Sequence, residues 1–223
     1  YDADKDKDTL KIRKVLKKNE MSNMDLIIGP VFVKSFDIAA RFANREKINI
    51  VNPLSRRDRI VDRNPNVFKV QPPEQDVAET MASFIVSRHS RDNIILVKNG
   101  NTELASLYKD FLSALKGYQN DKPVVYKEVN YATESFQGLT KKIANDQSNI
   151  IVVFSSNRSL VPNLVSLLNN YGKAKDIHLF GMPGWEEMDI ETEFLVNMDY
   201  HQVIPSFIDY DSEAVKQFIV KFR

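Results

Sequence analysis

The side chains in this sequence best suited to holding a ligand are Ser155, Ser156 and Asn157, Asn99, Asn101 and Thr102, Trp185, and the run Ser55-Arg56-Arg57-Asp58-Arg59. Hydroxyls and amides both donate and accept hydrogen bonds. Arginines clamp a carboxylate or phosphate through two parallel N–H donors, although a run of them also serves as a solvated loop face. A tryptophan supplies a flat apolar wall and one N–H donor, or simply a core ring at a strand end. Glu186, Glu187, Asp189, Glu191 and Glu193 follow Trp185 closely. Paired carboxylates can act as general acid and base. The same residues also suit the acidic first turn of a helix starting near Glu186, where they favour the macrodipole, and that reading is preferred. The histidines, His89, His178 and His201, show neither the i, i+4 spacing nor the HExxH pattern of a metal site, and structural roles are expected for them. No GxSxG, GxxxxGK[ST] or GxGxxG occurs, and in Gly181-Met182-Pro183-Gly184 the proline removes an N–H that a phosphate would need. Cysteine is absent, which removes thiol nucleophiles, disulfides and Cys-based zinc sites. The expectation is a non-catalytic chain with no cofactor and no metal.

The elements that carry these residues must come from 223 residues, 43% of them hydrophobic. That is enough for a large domain or two small lobes, each with its own core. Lys plus Arg number 31 and Asp plus Glu 30, so the net charge of +1 gives no general attraction to nucleic acid or to an acidic membrane. No apolar run approaches the ~20 residues of a membrane span. The opening Asp2-Ala3-Asp4-Lys5-Asp6-Lys7-Asp8 is no signal peptide; it reads as a solvated, frayed end, and the targeting segment of an exported protein would lie outside it.

Short Val- and Ile-rich runs bounded by turn residues predict strands at 26–28, 48–51, 67–70, 94–97, 124–129, 150–154, 177–180 and 203–208. Between them, apolar residues recur at helical spacing. The stripes are Ile12-Val15-Leu16, Ile38-Ala39-Phe42, Val77-Met81-Phe84-Ile85, Leu104-Leu107-Phe111-Leu115, Phe136-Leu139-Ile143, Leu160-Leu164-Leu167-Leu168, Phe194-Leu195-Met198 and Val215-Phe218-Ile219-Phe222. Alternating strands and helices predict an α/β fold with parallel sheets covered by helices. Gln71-Pro72-Pro73 and Ile204-Pro205 are the best boundaries, because proline stops a strand ladder. They divide the chain into a first lobe, 1–71 plus 206–223, and a second lobe, 72–205. In such sheets ligands bind beyond the carboxyl ends of the strands. That rule points to Val31–Ser35, Leu54–Arg57, Lys98–Glu103, Ser155–Asn157 and Met182–Glu186.

Several of these segments together resemble the type I periplasmic binding proteins, the two-lobed receptors for branched-chain amino acids in ABC transport. The carriers are Asp25-Leu26-Ile27-Ile28-Gly29-Pro30, Ile48-Asn49-Ile50-Val51-Asn52-Pro53-Leu54-Ser55, Val67-Phe68-Lys69-Val70-Gln71-Pro72-Pro73, Asn93-Ile94-Ile95-Leu96-Val97, Asn149-Ile150-Ile151-Val152-Val153-Phe154-Ser155, and Ile177-His178-Leu179-Phe180-Gly181 with Trp185. Their order and spacing, more than any one piece, carry the likeness. The chain also resembles the binding-protein-like domain of bacterial envelope proteins that bear a LysM peptidoglycan-binding module. The resemblance implies two Rossmann-like lobes, the first incomplete because the sequence looks cut at both ends, with Tyr1–Asp4 as the tail of a second strand. Exposed sheet edges are expected there.

The resemblance further implies binding of a small polar ligand, amino acid-like or derived from the cell wall, between lobes that close at Pro72 and Pro205. The ligand-binding residues it implies are Ser35, Ser55 and Arg57 from the first lobe, and Asn101, Thr102, Ser155, Ser156 and Trp185 from the second. The chain departs from amino acid receptors at three places. Val33 stands near the position of the hydroxyl that holds the ligand carboxylate. Arg56 replaces a threonine. The second-lobe tyrosine has no counterpart at Gly100, Asn101 or Thr102. These departures weigh against a free amino acid; Arg56 or Arg57 suits a more acidic ligand. The implied location is the bacterial periplasm or cell envelope. The implied partners are a small ligand or an envelope protein, with peptidoglycan association through a module outside this chain. The alternative is a scaffold domain that has lost its ligand.

Overall fold

The computed structural model describes residues 9–54, 61, 64–100, 104–118, 123–172, 175–205 and 208–221. The chain divides into two compact units, Tyr1–Glu74 and Gln75–Arg223. The division falls just past the expected Gln71-Pro72-Pro73 boundary. Among the described residues no helix is long and apolar enough to cross a membrane.

The first unit comprises α1 (Thr9–Leu16), β1 (Leu26–Ile28), α2 (Val33–Glu46), β2 (Asn49–Asn52) and β3 (Val67–Lys69). The strands form a parallel sheet in the order β1-β2-β3. Phe36, Ala39, Ala40 and Ala43 fall on one face of α2 and pack with Ile50 and Val67 into a small core. α2 stops at Lys47, whose left-handed backbone (φ 60°) lets its N–H bond the Ala43 carbonyl. Alternation along the strands leaves Leu26, Ile28 and Phe68 exposed.

The second unit runs α3 (Glu74–His89), β4 (Asn93–Lys98), α4 (Ala105–Gly117), β5 (Tyr126–Asn130), α5 (Tyr131–Thr140), β6 (Asn149–Phe154), α6 (Leu160–Gly172), β7 (Ile177–Gly181), α7 (Thr192–Asn197), β8 (His201–Gln202) and α8 (Glu213–Lys221). All five strands are parallel, in the order β5-β4-β6-β7-β8. β6 is buried along its whole length and β4 along all but its last residue, so unbroken apolar runs can form them without alternation. Asn149, fully buried, ties their beginnings together. It accepts from Asn93 Nδ2 at 2.8 Å and from the Ala144 N–H at 2.7 Å, and donates to the Ala144 and Asp176 carbonyls at 3.1 Å each.

Three local expectations change. The strand expected at 203–208 is instead the two-residue β8 just before it, which pairs with Phe180 and Gly181. Val203, Ile204 and Pro205 stand outside the ladder, where proline has no N–H to give. The stripe Phe136-Leu139-Ile143 is not one straight helix. Ser135 takes φ 54°, ψ −169° inside α5, and α5 ends before Ile143, which is buried all the same. The acidic stretch after Trp185 forms a single 3-10 turn, Trp185–Glu187, rather than the start of a longer helix. α8 lies within the second compact unit as contacts divide the chain, and it buries none of its residues.

Candidate ligand-binding site

The strand order of the second unit fixes where its chemistry can gather. β4 and β6 are neighbours, but the chain leaves β4 toward β5 on one side and β6 toward β7 on the other. This divergence opens a crevice at the carboxyl ends of the two strands, the point where open parallel sheets take ligands. Lys98-Asn99-Gly100 ends β4 and Ser155-Ser156-Asn157 ends β6. Gly100 has φ 69°, a left-handed turn that suits glycine, and its N–H bonds Asn130 Oδ1 at 3.1 Å. Lys98 Nζ lies 3.4 Å from Glu128 Oε2 and 5.3 Å from the Tyr108 ring centroid. Burial first, and the Glu128 carboxylate next, push the Tyr108 phenol well above its ordinary range, so it stays protonated.

The loop after β6 is held from below. Ser155 is 1% exposed, and its hydroxyl accepts the Asn157 N–H at 3.2 Å. Asn157 Oδ1 in turn accepts the Ser159 and Leu160 N–H groups at 3.0 and 2.9 Å, capping the start of α6. The Ser155 carbonyl accepts the indole N–H of Trp185 at 2.8 Å. Trp185 is 3% exposed and stacks on Tyr200, with ring centroids 5.7 Å apart and 10° between planes. Tyr200 donates to Gln202 Oε1 at 2.9 Å, and Gln202 Nε2 donates to Glu186 Oε2 at 2.6 Å. The Gly184 N–H reaches the same Glu186 oxygen at 2.8 Å. Burial, then the Glu186 carboxylate, raises the Tyr200 phenol far above its usual value and keeps it a donor. Gly181 makes this stack possible. A Cβ there would sit 2.5 Å from Tyr200 Oη and 2.6 Å from the Trp185 ring.

Of the residues expected to bind ligand, the structure brings Ser155 and Trp185 together directly, with Ser156 beside them in the same loop. Both Ser155 and Trp185 are buried and mutually bonded, so they brace the loop, while Ser156 is partly exposed. Ser35 is buried in the first turn of α2, in the first compact unit. Ser55, Arg57, Asn101 and Thr102 lie outside the described residues, as do Arg56, Arg59, Phe222 and the opening 1–8. The packing role of Gly181 escaped the sequence reading, as did Tyr200 and Gln202 altogether. Their contacts cross from β7 to β8 and leave no local spacing to detect. Asn157 did carry a signal, as a helix-capping residue just before an apolar stripe.

The acidic cluster does not converge. Glu186 braces Gly184 and Gln202, and Glu187 pairs with Arg158 at 2.8 Å on the surface. Asp189, Glu191 and Glu193 are all exposed. No two of them share a buried cleft that would set an acid against a base.

Two parallel sheets flanked by helices, the second with a switch point, are the arrangement found in a large group of solved structures. The fold is that of the type I periplasmic binding proteins. A Rhodospirillum rubrum protein assigned to branched-chain amino acid ABC transport aligns over 99% of this chain and 63% of its own, with a TM-score of 0.69 and 13% identity. LivJ of Streptococcus pneumoniae, a branched-chain amino acid transporter substrate-binding protein in complex with isoleucine, aligns over 100% of this chain and 64% of its own, at TM-score 0.56 and 15% identity. The LpoA C-domain of Haemophilus influenzae, a regulator of PBP1A, aligns over 95% of this chain and 65% of its own, at TM-score 0.60 and 12% identity. The chain thus spans less than two thirds of the length of these binding-protein-fold structures. No protein-family profile matches it, and no curated protein does.

Proposed function

We propose that this chain is the binding-protein-like part of a bacterial envelope protein and holds a small polar ligand without catalysing its conversion. The observation that carries this reading is the β4/β6 switch point, with Ser156 and Asn99 at its rim and Ser155 braced beneath by Trp185. Ser156 meets the ligand, and Ser155 and Trp185 hold it in place. Asn101 and Thr102, which follow β4, and the first-lobe residues Ser35, Ser55 and Arg57 belong to the same proposal. So do the return of 206–223 to that lobe and movement at Pro72 and Pro205. The exposed, non-converging carboxylates support a non-enzymatic role. Arg57 favours an acidic ligand, such as a dicarboxylic amino acid or a cell-wall fragment, over a neutral amino acid.

Thermal melting with a panel of amino acids, short acidic peptides and muropeptides tests this. A ligand at a hundredfold excess over Kd adds about 2.7 kcal/mol of stability. Ser156→Ala and Arg57→Ala should each weaken the active compound about tenfold or more, as expected for lost hydrogen bonds to a charged group. A second reading, a scaffold that docks an envelope protein, draws support from the likeness to LpoA and from Val33 at the expected hydroxyl position. A flat melting temperature across the whole panel selects it.

A further inference from the structure

On one face of the second sheet, beside β7 and β8, all three histidines of the chain come together. His178 is the second residue of β7 and His201 opens β8, and Phe180 pairs with His201 in the ladder. Two-residue alternation therefore places His178, Phe180 and His201 on one face of the sheet. His201 stacks on Phe180 (4.8 Å, 24°) with Phe84 of α3 at 5.2 Å, and His89 at the end of α3 stands 5.0 Å from His178. Asp199 completes the group. His178 Nδ1 lies 2.7 Å and His201 Nε2 3.0 Å from the same Asp199 oxygen. One ligand atom from each of the three residues lies within 4.8 Å of the other two.

We propose that His178, Asp199 and His201 form a binding site for a zinc-class divalent cation. Two imidazoles and a carboxylate match zinc, cobalt and nickel rather than magnesium or calcium, which prefer all-oxygen shells. Tetrahedral ligands at ~2.0–2.1 Å from zinc sit about 3.4 Å apart, so the two histidine–Asp199 distances open by about half an ångström while the two ring nitrogens, within 4.8 Å of each other, settle to the same separation. Asp199 is held by its backbone. Its φ is 39°, its N–H bonds the Val196 carbonyl at 3.2 Å, and the preceding Met198 carbonyl accepts the Leu179 N–H at 2.9 Å. A second carboxylate sits behind His178, with Asp176 Oδ1 3.4 Å from Nε2. When the metal takes Nδ1, the ring proton sits on Nε2, and that N–H faces Asp176. This is the carboxylate–histidine–metal relay that orients such ligands. His89 is occupied elsewhere, its Nδ1 bonded to Asp92 at 2.9 Å. The Asp199 side chain is 61% exposed, which leaves the site open to an incoming ion and to a water as fourth ligand.

The test uses the whole chain without a histidine tag, stripped by chelator and titrated with zinc, with cobalt as a spectroscopic probe and magnesium as control. One zinc per chain is expected, with the intense visible absorption of tetrahedral cobalt and no response to magnesium. Asp199→Asn, which tolerates the same backbone, and His201→Gln should each lower zinc affinity by tenfold or more. Asp176→Asn should lower it within the 10–100-fold range typical of an orienting carboxylate. Wild-type chain that takes up no zinc, cobalt bound with only the weak absorption of an octahedral aquo-ion, or folded Asp199→Asn with undiminished affinity would each overturn the proposal.

Discussion

Gly181 shows how much a single residue can set. It lies at the end of β7 with the Tyr200 hydroxyl and the Trp185 ring on the side where a Cβ would project. Gly181→Ala forces that stack apart, and overpacking of this kind costs about 1–3 kcal/mol. Urea unfolding should show the loss, and the single tryptophan should report it as altered emission in the folded state. Unchanged stability would mean the ring stack is looser than its geometry implies. Glu134 makes a different kind of residue-scale contribution. It accepts the Asn130 N–H at 2.9 Å and pairs with Lys142 at 2.7 Å. The Lys142 hydrogen bond first, then the backbone one, holds its carboxyl below the ordinary carboxylate range. A depressed pKa in the folded state means stability that is present above the unfolded pKa and lost as pH falls through the folded one. In wild type, stability should therefore fall below about pH 4, and Glu134→Gln should flatten that slope while leaving neutral-pH structure intact. Denaturation at a series of acidic pH values decides this.

At the scale of elements, the strands of the second unit were legible because they are buried on both faces and need only an unbroken Val- and Ile-rich run. Ile94–Val97 and Ile150–Phe154 are such runs, and both became central strands. β8 was misplaced for the converse reason. Two backbone pairings suffice to hold it, and Val203 and Ile204 outrank His201 and Gln202 in strand character without joining the ladder. α5 was legible as a helix but not as a broken one. Ser135 takes its positive φ just after Glu134, whose carboxylate accepts the Asn130 N–H, and no propensity reports that. The joint between elements is Asn149. Asn149→Ala would leave the part-buried Ala144 N–H without its acceptor and take one of the two acceptors of Asn93 Nδ2, which keeps the Lys142 carbonyl, and should cost about 1–3 kcal/mol per unsatisfied group. The loss should appear in hydrogen exchange as weakened protection at the starts of β4, β6 and β7. Protection equal to wild type there would mean water replaces the amide.

For the molecule as a whole, the two compact units hold separate cores of unequal size. The smaller is built around Phe36, Ala39, Ala40, Ala43, Ile50 and Val67. The larger runs continuously through β4, β6, β7 and the helices that cover them. Phe36→Ala removes the largest fully buried side chain of the small core and should cost about 3–5 kcal/mol. The expected result is early proteolysis within the first unit while the β4 and β6 amides keep their slow exchange. Parallel loss of protection in both units would show that they unfold as one.

Periodicity and turn residues alone determined the α/β class and the order of most helices and strands. Those features depend on neighbours in sequence, where apolar spacing and proline act directly. Tertiary structure decided that β4 lies between β5 and β6, that Trp185 turns its N–H inward to Ser155, and that His178, Asp199 and His201 meet. Each of these depends on which strands pair. Strand pairing is settled by burial across the whole sheet, and residue spacing carries no record of it.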